Sequence, residues 1–262
     1  MKNLRTKQIV EILNRDNVVM VTDLAEHFHV SIETIRRDLN YLEQQGLIKK
    51  VYGGAELKRN PATSNSSFLA RQMYMTKTKT ALGERVAGYI PDNSVVALDS
   101  GTTILECVQH FEKKENMCFI CSDIHSANQL LSYENSNVYM LGGKLTTYGT
   151  SSSEFSNEFI ESISKIDVLL LSADGVDPDS GLSNNEININ LLKQKLMKKA
   201  RQIVAVIDHS KFTRYGFYKM CDFSDLDVLV TDSGVPTDII NNIREHGVTV
   251  DIVDCPRAEL PE

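Results

Sequence analysis

The chain has 262 residues, 42% apolar and 24% charged, a balance that fits a folded protein and excludes a disordered or low-complexity one. Its formal charge of −7 is uneven: residues 1–60 hold ten of the 28 Lys and Arg but eight of the 35 Asp and Glu, so a slightly basic head precedes an acidic body. No apolar run approaches a membrane span, no signal-peptide pattern follows the first charges, and five cysteines without framework spacing suit a reducing cytoplasm.

Residues 6–14 place Ile9, Ile12 and Leu13 at helical spacing, and Asp16-Asn17 ends that pattern. After a short apolar run over 18–21, Thr22 is predicted to cap a second helix over 23–28, with Leu24, Ala25 and Phe28 facing inward. His29-Val30 makes a tight connection. Ser31 is predicted to cap a third helix over 32–45, with Ile32, Ile35, Leu39 and Leu42 as its core stripe and Gly46 as its stop. Two helices joined by a short turn, the second opening on a polar cap, have the helix-turn-helix layout.

The predicted contact set on the third helix is Ser31, Glu33, Thr34, Arg36, Arg37 and Asn40. Arg presents a fork to guanine or phosphate, Asn pairs with adenine, and Thr meets a thymine methyl. A charged helix face is more often simply solvated, but the preceding helix and cap favour nucleic acid here. Residues 47–57 then read as a β-hairpin, a wing, with Lys49 and Lys50 set to meet phosphate and Gly53-Gly54 at the turn.

Together, Arg5, Ile9, Leu13, the stretch 21–28, Val30-Ser31, Thr34-Ile35-Arg36-Arg37-Asp38-Leu39, Leu42-Glu43, Gly46 and Gly53-Gly54-Ala55 resemble the signature of the DeoR family of bacterial transcriptional regulators. The resemblance implies binding of double-stranded operator DNA, with the third helix in the major groove.

Residues 58–67 are polar, contain Pro61 and read as a linker between a winged helix-turn-helix domain over 1–57 and a larger domain over 68–262. Helical spacing runs over 68–89. Strands are then predicted at 95–98, 118–121, 138–141, 168–171, 203–207, 228–230 and 248–253, with helices at 103–111, 124–131, 186–200 and 236–246. That alternation predicts an α/β fold with a mainly parallel, doubly wound sheet.

Ligands of such sheets bind past the C-terminal strand ends. Asp99-Ser100-Gly101-Thr102-Thr103 follows the first strand, as small hydroxyl residues around a glycine that suit phosphate. Asp174 follows the fourth strand, and Asp208 and Lys211 follow the fifth. A sugar phosphate needs such groups, although either aspartate could equally cap a turn.

The same region resembles the DeoR effector domain, which is similar in fold to ribose-5-phosphate isomerase. The matches are Asp99-x-Gly101-Thr102-Thr103, Gly142-Gly143, Asp174-Gly175-Val176-Asp177, Gly181-Leu182, Lys193, Asp208-x-Ser210-Lys211-Phe212 and Thr231-Asp232. The resemblance implies a phosphorylated sugar or polyol as inducer of a repressor, with Gly101, Thr102, Thr103 and Lys211 near the phosphate and Asp174 toward the sugar. Asp99, Ser100 and Lys193 complete the expected effector set. Cys121-Ser122 replaces the family's Thr-Asn, Thr146 a basic residue and Ser153 a glycine, all near the expected pocket.

The alternative reading is a sugar-phosphate isomerase carrying a DNA-binding appendage. It needs a carboxylate base, and the stretch 178–186 lacks the glycine cluster that leads to one in such enzymes, leaving Glu186 a weak candidate. No cofactor or metal is expected. Cys118 and Cys121 lie in an apolar strand without a second cysteine pair, and His27 and His29 have no cysteine beside them. Operator symmetry favours a homodimer or homotetramer.

Overall fold

The computed structural model describes residues 2–57, 68–134, 136–146, 149–152 and 154–256. They belong to two compact units, Met1–Thr76 and Lys77–Glu262. The predicted linker, 58–67, lies outside the described residues, as does Ser153.

The first unit contains α1 (Lys2–Asp16), β1 (Val18–Met20), α2 (Val21–His27), α3 (Ile32–Gln44), β2 (Ile48–Val51), β3 (Gly54–Leu57) and α4 (Phe68–Met73). Ile9, Leu13, Leu24, Ile35, Leu39, Leu42 and Leu47 form its core. Ser31 caps α3 as expected, its hydroxyl accepting the Thr34 amide at 3.2 Å, and Gly46 follows the helix at φ +79°. Thr22 does not cap α2. That helix starts directly from β1 with Met20 at its cap position, so Thr22 lies inside it, and the Val21 amide donates to the Gly53 carbonyl at 2.9 Å. Ile32 is 43% exposed, so the stripe on α3 begins one turn later. Asp38 occupies that buried face instead, and its carboxylate accepts a hydrogen bond from Arg5 on α1.

The wing is a three-stranded antiparallel sheet in the order β1-β3-β2. Gly54 makes the pairing of β1 with β3 possible, because a Cβ there would lie 2.1 Å from the Val19 carbonyl oxygen. The helical spacing over 68–89 is interrupted at Met75, whose φ of +53° leaves the helical region. Consequently α4 does not join the large domain: Ala70 and Met73 pack into the core of the first unit.

The second unit begins within α5 (Thr76–Ala87) and continues through β4 (Val95–Leu98), α6 (Thr102–Val108), β5 (Met117–Cys121), α7 (Ile124–Leu130), β6 (Ser136–Met140), β7 (Lys144–Leu145), β8 (Ser151–Ser152), α8 (Glu154–Ser162), β9 (Ile166–Leu171), β10 (Gly175–Asp177), β11 (Gly181–Asn184), α9 (Ile187–Lys199), β12 (Ala200–Val206), β13 (Tyr218–Cys221), β14 (Val228–Asp232), α10 (Thr237–Glu245) and β15 (Thr249–Val253). Seven strands form one parallel sheet in the order β15-β14-β12-β9-β4-β5-β6. Alternating residues of β9 feed opposite cores. Leu169 and Leu171 pack with Leu192, Leu196, Ile240 and Ile243, whereas Val168 and Leu170 pack with Leu82, Val86, Ile104 and Leu130. Helices therefore cover both faces. Chain order reverses between β4 and β9, which places the ligand crevice of a doubly wound sheet at their C-terminal ends. A small antiparallel sheet, β10-β11-β13, sits in the connections around α9 and was not anticipated.

Candidate DNA-binding face and effector crevice

On α3, Ser31, Glu33, Arg36, Arg37 and Asn40 are exposed and Thr34 is half-buried. Glu33 lies 4.0 Å from Arg36 and 3.8 Å from Arg37. Lys50 in the wing bonds Asn40 at 2.9 Å and Glu43 at 2.8 Å, and these contacts join the wing to α3. Hydrogen bonds from the Lys50 ammonium and amide hold the Glu43 carboxyl below its ordinary range. Lys49 lies 3.5 Å from Glu56. The exposed predicted residues of α3 thus share one surface with Lys50, whereas Lys49, its neighbour in β2, leaves the opposite face of the wing beside Glu56. Tyr52 stands fully exposed at the wing turn.

In the second unit, predicted effector residues 99–103 follow β4 and Asp174 follows β9, the two strands at the switch point; Lys193 reaches Asp99, and Lys211 lies past β12. Gly101 precedes α6 at φ +137°, a conformation that favours glycine. Thr102 and Thr103 are buried, and Ser100 is half-buried. Asp99 is buried at the end of β4. Its carboxylate accepts the Ser100 amide at 2.7 Å, the Ser172 amide and hydroxyl at 2.8 Å each, and the Lys193 ammonium at 2.7 Å. Lys193 also donates to the Ser172 carbonyl at 2.8 Å and to Asn184 Oδ1 at 3.0 Å. All three ammonium hydrogens therefore have acceptors within the protein. Asp174, half-buried past β9, accepts the Asn185 amide at 2.9 Å.

Sequence reasoning missed Lys79. It lies on the buried face of α5 with Leu82, Gly83 and Val86, and its ammonium donates to Thr102 Oγ1 at 3.0 Å. Gly83 permits the close approach of α5 to α6, since a Cβ there would lie 3.0 Å from the Cys107 Cα. The same lysine acts on the turn after β12. Burial alone would raise the pKa of Asp208, but the charges of Lys211 and Lys79 hold its carboxyl below the usual range. The visible signal was a lysine at i, i+3, i+4 and i+7 spacing with core residues.

Asp123 was also missed. It is buried past β5, where its Oδ1 caps α7 by accepting the His125 and Ser126 amides at 2.9 Å each. Burial pushes this carboxyl above its ordinary range. Thr146 joins a tight turn, accepting the Thr150 amide on its hydroxyl at 3.3 Å. Cys118 and Cys121 lie in β5 three positions apart, so their side chains leave opposite faces and share no site.

A winged helix-turn-helix followed by a doubly wound unit with hydroxyls, carboxylates and lysines at its switch point defines a DNA-binding regulator that answers to a small molecule. The chain matches the DeoR-like helix-turn-helix domain over residues 5–60 and the DeoR C terminal sensor domain over residues 75–233. It is 33% identical to the transcriptional repressor AccR of Agrobacterium fabrum, covering 92% of this chain and 93% of the relative. It is 30% identical to the glycerol-3-phosphate regulon repressor of Escherichia coli, covering 95% and 98%. The chain belongs to the DeoR family and is a DNA-binding transcriptional regulator. Among solved structures, the probable sor operon regulator of Shigella flexneri aligns at a TM-score of 0.43 and 9% identity, covering 64% of this chain and 88% of that one. Ribose 5 phosphate isomerase A from Neisseria gonorrhoeae aligns at 0.40 and 18%, covering 53% and 54%. Among the described residues, no helix is long and apolar enough to cross a membrane.

Proposed function

We propose that this regulator is a cytoplasmic repressor of a carbohydrate operon and releases its operator when a phosphorylated sugar or polyol fills the crevice. One observation carries the ligand class: Lys79 donates to the Thr102 hydroxyl after β4, and its charge, with that of Lys211, lowers the carboxyl of Asp208 after β12. Two cations and two buried threonines suit a phosphate, and Asp174 suits sugar hydroxyls. A relative named as a glycerol-3-phosphate regulon repressor favours a small polyol phosphate. Residues 1–57 read the operator through Ser31, Glu33, Thr34, Arg36, Arg37 and Asn40, with Lys49 and Lys50 on phosphates, in a homodimer or homotetramer matched to operator symmetry.

The test is a melting-temperature screen of sugar and polyol phosphates on the full chain, followed by release of a selected operator fragment. Lys211→Ala should raise the inducer concentration needed while leaving operator affinity unchanged, because an inducer acts only through its differential affinity for the two states. Stabilisation by no phosphorylated sugar, or release by unphosphorylated sugars alone, would refute the proposal.

A further inference from the structure

We propose that His209, Asp232 and Cys255 form a binding site for a zinc ion, on the same turn that carries Lys211. Three neighbouring strands of the sheet each deliver one ligand: His209 follows β12, Asp232 ends β14, and Cys255 lies just past β15. An imidazole nitrogen, a carboxylate oxygen and Sγ all lie within 4.8 Å of one another, and all three residues are buried; His209 Nδ1 and Asp232 Oδ1 share a hydrogen bond at 2.7 Å, whose proton the metal would replace. Zinc bonds of about 2.0–2.3 Å set tetrahedral ligands about 3.3–3.8 Å apart, so side-chain adjustments of about 1 Å would complete the coordination.

The chemistry of the donors selects the ion. A nitrogen, an oxygen and a sulfur suit zinc, whereas magnesium and calcium take oxygen ligands. A neutral imidazole, a carboxylate and a thiolate together carry two negative charges, which a divalent cation neutralises in this buried place. The surroundings are arranged around the ligands. Asp232 is held by the His209 amide at 2.8 Å and the Gly234 amide at 2.9 Å. Gly234 leaves the space open, since a Cβ there would stand 2.5 Å from His209 Nδ1 and 2.9 Å from Asp232 Oδ1.

Cys255 also differs from the other buried cysteines. Cys107, Cys121 and Cys221 pack within apolar clusters. The sulfur of Cys255 instead faces polar atoms, the Thr78 hydroxyl at 3.3 Å and the Pro256 carbonyl at 3.7 Å. The Thr78 hydroxyl thus contacts the ligand sulfur itself. Thr78 precedes Lys79 and His209 follows Asp208, so bound metal would fix both segments that bring lysines to the crevice.

The experiment uses the full chain, stripped with a chelator under reducing conditions and titrated with cobalt(II) and then zinc. One equivalent should bind with a single thiolate-to-cobalt charge-transfer band. Cys255→Ser should abolish the band and weaken zinc binding by more than the roughly 10–100-fold that loss of an outer hydrogen-bond partner costs. A band that survives in Cys255→Ser, or no binding of either metal, would overturn the site. X-ray absorption on the zinc-loaded wild type tests the ligand set independently of how the variant folds. One sulfur among nitrogen and oxygen ligands supports the site, and zero or two sulfurs refute it.

Discussion

Replacing Lys193 by Met separates a structural role from a ligand-binding one. The ammonium is 2.7 Å from Asp99 Oδ2, with the two side chains only 5% and 2% exposed. At an effective dielectric constant near 20, that separation corresponds to about 6 kcal/mol of Coulomb attraction, most of it offset by the desolvation of both ions. Removing one partner leaves the desolvation of the other uncompensated, so Lys193→Met should cost about 3–5 kcal/mol. Asp99→Asn should cost a similar amount, because Lys193 would keep only neutral acceptors. For a unit of this size the loss corresponds to about 6–20 °C in melting temperature. Calorimetry of the full chain, following the transition of the second unit, is the assay. The double variant should lose much less than the sum of the single losses, since the two residues form one pair. A drop below about 1 kcal/mol for Lys193→Met would refute the reasoning. If inducer response disappeared at unchanged stability, Lys193 would be a ligand contact and not an anchor of the Asp99 loop.

Operator affinity should fall by orders of magnitude between roughly 50 and 200 mM salt, and titrations at several concentrations would expose a flat profile that excludes phosphate contacts. Arg36→Ala or Arg37→Ala should cost about 1–3 kcal/mol with relaxed specificity at one base pair, whereas Lys49→Ala should weaken operator and random DNA alike. Gly54→Ala should destabilise the first unit by about 3 kcal/mol by driving a methyl into the Val19 carbonyl; urea unfolding and operator binding would both register it. Asp208 is depressed in the folded state, so its contribution to stability is complete above the ordinary carboxylate pKa and is lost as pH falls through the lower folded value. Asp208→Asn should therefore flatten the acid limb of a stability–pH curve, and an unchanged limb would exclude that carboxyl.

The parallel sheet was legible because strands buried on both faces leave continuous apolar runs, and all seven predicted strands joined it. The small antiparallel sheet was not. Its strands are three or four residues long, too short to show an alternation, and the first two adjoin the Asp174-Gly175 and Ser180-Gly181 turn pairs. Thr22 misled because the helix begins earlier, at Val21, whose amide meets the Gly53 carbonyl from the wing, distant in sequence. The residues proposed to contact DNA lie close together in the sequence, on one helix and one hairpin. Lys79 escaped because its partners, Thr102 and Asp208, follow strands far along the chain, and only the close contact at Gly83 brings α5 to them.

The carboxylates on the proposed DNA-contacting surface have a consequence for how this protein would find its target in a genome. Glu33 beside Arg36 and Arg37, and Glu43 on Lys50, compete with phosphate for the same cations. On arbitrary DNA, each cation exchanges an internal partner for a phosphate and gains little, while the displaced carboxylate is left facing a polyanion. At the operator, base contacts can offset that penalty. Weak holding of random sequence shortens each unproductive encounter, and the affinity given up there becomes faster turnover between sites during the search.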